Sequence, residues 1–473
     1  MQTTTSMPNK HMPLIALCLG FFMVIIDVTI VNVALPSIAK NLGGGVSWLQ
    51  WIVDGYTLTF ACLLLSAGNL GDQVGAKIAF LWGLALFVAT SLGCGLAPSF
   101  WLLTFFRLLQ GIAAALLVPT SLALINASYE NKQDRAKAIG IWGGIGGIAA
   151  AAGPILGAIL TFWFSWRAVF FVNIPIGLIA FFLTLKYVTN PISHGKHTYD
   201  FSGQILGIIS IALLACSLIE AGRLGWFSVP VISGFGIFLL TFVAFLIIEY
   251  RTVAPMFPLN LFHSKKFSTA IAVGMILNIG VYGELFVLSL YFQQIRGYTV
   301  LITGFAFLPL LGVIAITSYW SGRVASITGP RIPMIIGLAI GAIGFLTMLI
   351  VSNHTPYSML ILPLAAIGFG IAFTMPAATI VAINAAPENR AGIASGALNA
   401  SRQVGSLIGV AIFGTIINTT AHFILGMHIS LVIAGIAFFL GYLATLIWVK
   451  KDKEEVMIIN TMIPLQYNHT RNF

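Results

Sequence analysis

Runs of apolar residues, each about 20 long, follow one another along the whole chain with brief polar breaks between them. Fourteen stand near residues 13–35, 48–68, 78–97, 100–125, 137–160, 167–187, 203–220, 228–248, 268–292, 301–321, 332–351, 357–383, 393–420 and 428–449. A bilayer core holds no water to satisfy bare backbone groups, so a run of this length crosses it as a helix. The pattern predicts an all-α polytopic membrane protein. The longest break runs only from 188 to 202, which leaves no room for a soluble catalytic domain.

Composition points the same way: 59% of the 473 residues are hydrophobic and 8% are charged. A soluble domain carries about 25% charged residues. The net charge of +10 does not mark a nucleic-acid surface, because the basic residues are divided among alternate breaks. With a cytoplasmic N-terminus, 17 of the 23 Lys and Arg fall inside; Lys40, Arg167, Arg223 and Arg296 face outward, and Arg107 and Arg402 lie within spans. That bias places both termini in the cytoplasm. Cys18, Cys62, Cys94 and Cys216 sit in apolar runs without CxxC spacing and read as packing residues, with no metal site. The first run is too long for a signal-peptide core and contains Asp27, so it reads as a retained helix.

The chain also echoes itself. Gly68 to Lys77, GNLGDQVGAK, follows the second run, and Gly322 to Arg331, GRVASITGPR, follows the tenth, with Gly68 and Gly75 matching Gly322 and Gly329 at an offset of 254. Arg135-Ala136 matches Arg390-Ala391 at an offset of 255. The repeat is displaced by eight runs, whereas two parallel six-helix halves repeat after six, so two helices stand inserted between the halves. The expected division is an N-terminal six-helix half (1–187), a cytoplasmic linker (188–202), two inserted helices (203–248), a C-terminal six-helix half (249–450) and a cytoplasmic tail (451–473).

GNLGDQVGAK resembles the loop signature of the major facilitator superfamily, and the six, two, six layout resembles its fourteen-helix drug:proton antiporter branch. Asp27 to Pro36 (DVTIVNVALP), Arg107 to Gly111 (RLLQG), and Ser165-Trp166-Arg167 with Asn173-Ile174-Pro175 resemble the same branch. Leu49 to Tyr56 (LQWIVDGY) is similar to the subgroup that includes methylenomycin-resistance exporters. Gln73 and Ala76 depart from the loop signature, and Ala149 and Ala158 replace two glycines of the antiporter motif. The resemblance implies a gating loop at Gly68, Asp72, Gly75 and Lys77. It also implies an antiporter-motif helix carrying Gly140, Gly153, Pro154 and Gly157, and a substrate cavity or pathway touching Asn32, Tyr56, Gln110 and Arg402. Read from the residues alone, Asp72 is a turn residue suited to capping a helix N-terminus, and the small residues of 140–158 allow close helix packing.

Few ionisable groups lie deep in the spans, where a charge costs about 2.5 to 3.5 kcal/mol on insertion scales. At the helical rise, Asp27 comes about 13 Å below the outer end of its run, Asp54 and Arg107 about 10 Å, and Glu284 about 12 Å. Arg402 enters from the other side, about 13 Å from the inner end. The first four fall at one level. A carboxylate in a partly dry cavity favours its protonated form, a nearby guanidinium favours the ionised one, and motion that separates them changes proton affinity. Asp27 or Asp54 is therefore expected to bind the coupling proton, with Arg107 as the tuning charge and Glu284 taking a proton or a cationic substrate. The alternative role of each is to hold helices together.

The chain has no GxxxxGK[ST] phosphate loop and no HExxH cluster, which argues against ATP-driven transport and against an intramembrane enzyme. One proton at a total force of about 180 mV supplies about 4 kcal/mol, which sustains about a thousandfold gradient of a neutral solute. The expected function is proton-coupled export of amphipathic or antibiotic-like small molecules across a bacterial cytoplasmic membrane. No cofactor is expected beyond the proton, and the partners are substrate, protons and lipid, with or without a periplasmic adaptor. A dedicated exporter of one endogenous metabolite is the alternative, followed by a transporter-fold membrane sensor.

Overall fold

The computed structural model describes residues 11–129, 131–189, 200–252, 255, 259–387 and 391–449. The inner part of the linker and the C-terminal tail lie outside them. Secondary structure among the described residues is helical. We number the crossings α1 (Met12–Leu42), α2 (Val46–Val74), α3 (Ala76–Leu96), α4 (Phe100–Ser128), α5 (Lys132–Trp163), α6 (Ala168–Tyr187) and α7 (Phe201–Leu224). They continue as α8 (Val229–Arg251), α9 (Lys265–Ile295), α10 (Val300–Thr328), α11 (Arg331–Ile350), α12 (Tyr357–Asn384), α13 (Ala391–Thr419) and α14 (Phe423–Trp448). Thirteen are long and apolar enough to span a membrane, and α2, 29 residues long, supplies the crossing expected between α1 and α3. The protein is an all-α polytopic membrane protein.

Most helices overrun the apolar runs that announced them, because polar residues continue the hydrogen-bond ladder past the hydrocarbon region. The clearest case is α2, which is helical through Val74, so position 72 lies in its last turn and not in the expected interhelical turn. The α3 N-cap is Gly75, which carries no side-chain cap. The Asp72 side chain itself lies outside the described residues. The reversal falls on Gly75 at φ 95°, and its repeat partner Gly329 reverses the chain after α10 at φ 78°. These left-handed angles favour glycine, which accounts for the match of Gly75 with Gly329 in the repeat.

Packing repeats with the same displacement as the sequence. Helix α1 packs on α5, α4 and α6, α2 on α4, and α3 on α4 and α6; eight helices on, α9 packs on α13, α12 and α14, α10 on α12, and α11 on α12 and α14. Close approach on α1 uses Gly153 and Gly157, where an added Cβ would overlap Thr29 and the Ile30 carbonyl. Gly405 and Gly409 meet the Met275 and Ile279 carbonyls of α9 in the same way. The sets meet most extensively where α2 packs on α13 and α5 on α10, with α1 also touching α9. Between α5 and α10, Ala158 faces Gly304, so the methyl gained where the motif expects glycine is accommodated by a glycine opposite. Helix α7 packs on α2 and α13 and carries α8 outside it. In α1, 78% of the apolar stretch is buried, against 6% in α8, so α1 is central and α8 peripheral.

The two ends of the molecule differ. At the end where α1 gives way to α2, one apolar core runs from Ile30, Val33 and Leu49 to Leu285, Phe286 and Phe413. Hydrogen bonds between α1–α6 and α9–α14 gather there: Ser289 Oγ donates to the Asn32 carbonyl (2.6 Å), Gln293 Nε2 to the Val33 carbonyl (2.9 Å), and Gln50 Nε2 to the Ala411 carbonyl (2.8 Å). At the α2–α3 end, α1–α6 hold a separate core built on Leu17, Phe60, Phe80, Leu84 and Leu117. On α5 at that end, Gly140, Gly143, Gly144 and Gly147 face open space. The sets are closed together at the α1–α2 end.

Candidate functional site

Asp27 is the centre of a buried polar cluster drawn from five helices. Its Oδ2 is ion-paired with Arg107 Nη1. Its Oδ1 accepts from Asn173 Nδ2 of α6 (2.9 Å) and from Gln110 Nε2 of α4 (3.1 Å). Arg107 and Gln110 are three residues apart on one helical face, and Arg107 Nη1 also donates to Gln110 Oε1 (2.8 Å). Ser91 Oγ of α3 accepts from Gln110 (2.8 Å) and Asn173 (3.4 Å). Arg107 Nε donates to the Ile52 carbonyl of α2 (3.0 Å), and the guanidinium lies 4.3 Å from the Tyr56 ring centre, with Phe170 beyond. Asp27, Ser91, Gln110 and Asn173 are 0% exposed and Arg107 is 1% exposed. A buried pair of this kind holds only when its remaining donors and acceptors are matched, and here both carboxylate oxygens are.

The expected level of four groups is thus partly assembled. Asp27 and Arg107 meet, while Asp54 and Glu284 do not join them. Asp54 is fully buried on α2, and neither of its oxygens has a partner among the described residues. Glu284 of α9 is likewise buried, and neither of its oxygens has a partner among the described residues. It stands one turn beyond Gly280, which packs against Phe345 and Phe438, so it points into the interior of α9–α14. Arg402 of α13 donates only to neutral acceptors, Thr379 Oγ1 (2.8 Å), the Met375 carbonyl (3.2 Å) and Asn399 Oδ1 (3.5 Å).

The pathway residues separate in the same manner. Gln110 belongs to the Asp27 cluster, and Tyr56 covers Arg107 while its hydroxyl donates to the Val24 carbonyl (3.3 Å), so both sit inside the α1–α6 packing with no open face. Asn32 donates back to the Val28 carbonyl of its own helix (3.0 Å), and its backbone oxygen takes the bond from Ser289. Of the residues expected in a gating loop, Lys77 Nζ donates to the Leu185 carbonyl of α6 (3.1 Å), and Gly68 faces Pro119 of α4. Of those expected in an antiporter-motif helix, Gly153 and Gly157 press on α1, the Pro154 carbonyl lies against Gly304, and Gly140 meets nothing among the described residues.

Sequence reasoning missed Ser91 and the use made of Asn173. The available signal was weak: each is a lone small polar residue in an apolar run, and such residues more often bond their own helix.

The fold and this cluster define a polytopic helical membrane protein with two like-packed sets of six helices, closed on each other at one end. The model of the Major Facilitator Superfamily matches residues 17–410, and the chain belongs to that family. The Multidrug resistance protein Stp of Mycobacterium tuberculosis (strain ATCC 25618 / H37Rv) is 38% identical over 409 residues, 86% of this chain and 76% of that protein. The Methylenomycin A resistance protein of Bacillus subtilis (strain 168) is 35% identical over 436 residues, 92% of this chain and 93% of that protein. Among solved structures, the crystal structure of a bacterial homolog to human lysosomal transporter, Spinster, in an inward-facing and unoccupied conformation superposes with a TM-score of 0.66 at 18% identity. That match covers 94% of this chain and 98% of the other, and it bears on the fold alone.

Proposed function

We propose that this chain is a proton-coupled exporter of amphipathic, antibiotic-like small molecules, a drug:proton antiporter and not an enzyme. The observation that carries the export reading is its similarity, over 86% or more of its length, to proteins named for multidrug and methylenomycin A resistance. The coupling reading rests on the buried Asp27–Arg107 pair, whose separation would change the proton affinity of Asp27. The proton is then the coupling ion, and no other cofactor is invoked.

The repeated packing supports the division into two six-helix halves, 1–187 and 249–450, with 203–248 inserted between them. The distribution of Lys and Arg supports cytoplasmic termini in a bacterial inner membrane. In that orientation the α1–α2 end, where the sets are closed together, is the outer one. Glu284, unpartnered inside the C-terminal half, is assigned to a proton or a cationic substrate.

The test uses inverted vesicles with an acidic interior, in which ΔpH is recorded as neutral antibiotics and organic cations are added. A substrate-dependent proton leak that is absent with Asp27→Asn is the expected result. Leak retained in Asp27→Asn, Asp54→Asn and Glu284→Gln, each tested singly, removes the acid assignment. A narrow exporter of one compound is the second reading, favoured because the relatives matched over nearly their full length are named for one antibiotic. A leak confined to one chemical class decides for it.

A further inference from the structure

One face of α2 makes a three-helix seam with α13 and the inserted helix α7. Ser47 Oγ accepts from Asn418 Nδ2 (3.4 Å), which also donates to the Gly222 carbonyl (2.5 Å). One turn deeper, Gln50 Nε2 donates to the Ala411 (2.8 Å) and Val410 (3.2 Å) carbonyls, and Trp51 Nε1 lies 3.5 Å from Glu220 Oε1. Deeper still, Leu58 packs with Ala215 and Leu407, and Cys62 Sγ points at the Ile208 carbonyl. Positions 47, 50, 51, 58 and 62 share one helical face, and Asp54 lies in the middle of it. Its carboxyl is therefore set between α7 and α13, capped by the Gln50 layer and floored by an apolar one.

Asp54 has 0% exposure and no partner for either oxygen among the described residues. The other titratable or charged groups near it point elsewhere or are engaged. Glu220 sits at the mouth of the seam, paired with Arg223 (2.7 Å). Cys216 is on α7, Cys62 lies two turns below on α2, Arg402 lies below Leu407 on α13 bonded to Thr379, and Arg107 is on the far side of α2 bonded to Asp27. From 403 to 419, α13 carries no acid or base. An ionised carboxylate is not tolerated in such a place without a partner, so the shut seam accepts Asp54 as the neutral acid.

Depth decides where its proton goes. Asp54 is eight residues from the start of α2 and twenty from its end, about 12 Å against about 30 Å. Only the Gln50 and Ser47 layers separate it from the α1–α2 end, while apolar side chains fill the other direction. We propose that Asp54 is a gating proton site: it holds a proton while α2, α7 and α13 are shut together, and exchanges it with the α1–α2 side when the Gln50 latch parts. This proton is bound and released on one side and is distinct from the transported one. The inserted helix α7 then acts as the third wall of the site. The proposal rests on the reading of the chain as an alternating-access transporter.

The test is double electron–electron resonance on the full-length protein in lipid nanodiscs, with the four native cysteines replaced and spin labels on Lys40→Cys and Ala421→Cys, both exposed positions at the α1–α2 end. Raising the pH should shift the population toward longer distances in the parent. Asp54→Asn and the apolar Asp54→Leu, which suits the seam should Asn fail to fold, should stay at the short distance throughout. Glu220→Gln should keep the parent's response. A parent without pH response, a response that survives in either Asp54 variant, or one that vanishes in Glu220→Gln overturns the proposal. Absence of substrate-driven proton leak in the vesicle assay would instead sink the antiport reading and leave the distance result standing.

Discussion

Asp27 on α1 accepts hydrogen bonds from three side chains, whereas Asp54 on α2, just as deeply buried, accepts none among the described residues. Glu284 repeats the second pattern in α9. Desolvation is the same in all three places, so the difference lies in what faces each carboxyl. Around Asp27, α3, α4 and α6 contribute a guanidinium, two amides and a hydroxyl. On the α2 face that carries Asp54, α7 and α13 contribute Ala215 and Leu407 against Leu58 and Cys62. A matched carboxylate is a fixed joint between helices until its guanidinium moves away, and an unmatched one is a joint only while it is neutral. The two acids therefore suit different steps: one tied to motions inside α1–α6, the other to the contact between α2 and α13.

The contrast breaks most sharply at Arg107. Arg107→Leu strands the Asp27 carboxylate, and removing one partner of a buried pair costs about 3–5 kcal/mol. A large fall in apparent melting temperature in detergent is expected, with the double variant Asp27→Leu/Arg107→Leu recovering part of it. Full additivity of the two single changes would show that the pair is not coupled. Asn173→Ala removes one hydrogen bond to a charged group, about 1.5–3 kcal/mol. It should lower stability less than Arg107→Leu does and reduce substrate-driven proton leak, and an unchanged melting temperature would remove Asn173 from the joint.

Asp54→Leu has the opposite sign. Replacing an unpartnered buried acid by an apolar side chain should raise stability by about 1–2 kcal/mol, read as a higher melting temperature that varies less with pH than the parent's. A loss of stability there would mean that Asp54 has a partner. The smallest effect is expected for Glu284→Gln, within about 1 kcal/mol of the parent because the amide leaves the same polar atoms unmatched, while leak driven by organic cations falls more than leak driven by neutral compounds. Equal leak with both classes would take Glu284 off the cation pathway.

Much of this was legible in the residues. The fourteen apolar runs announced the crossings, since the bilayer imposes their length. The glycines of GNLGDQVGAK and GRVASITGPR announced the displacement by eight helices, because Gly75 and Gly329 stand where the backbone takes a positive φ. The depths of Asp27 and Arg107 placed them at one level, and they do pair. What stayed hidden was direction around each helix axis. Asp54 and Asp27 have nearly the same depth, but a helix in a bundle is surrounded by protein on most sides, and an almost uniformly apolar sequence marks no inner face. Ser91 and the partner of Asn173 were hidden for the same reason, and the end of α2 lay past its apolar run, at Val74.

The sequence by itself therefore determined that this is a fourteen-helix membrane protein with an internal repeat and a handful of intramembrane charges, because bilayer thickness and the demand for satisfied backbone groups leave no other solution for such runs. Tertiary structure alone decided which of those charges are matched. Partners come from helices far apart in the chain, Asp27 with Asn173 and Gln50 with Ala411, and only packing sets the rotation that brings one carboxyl to a guanidinium and leaves another without a partner among the described residues.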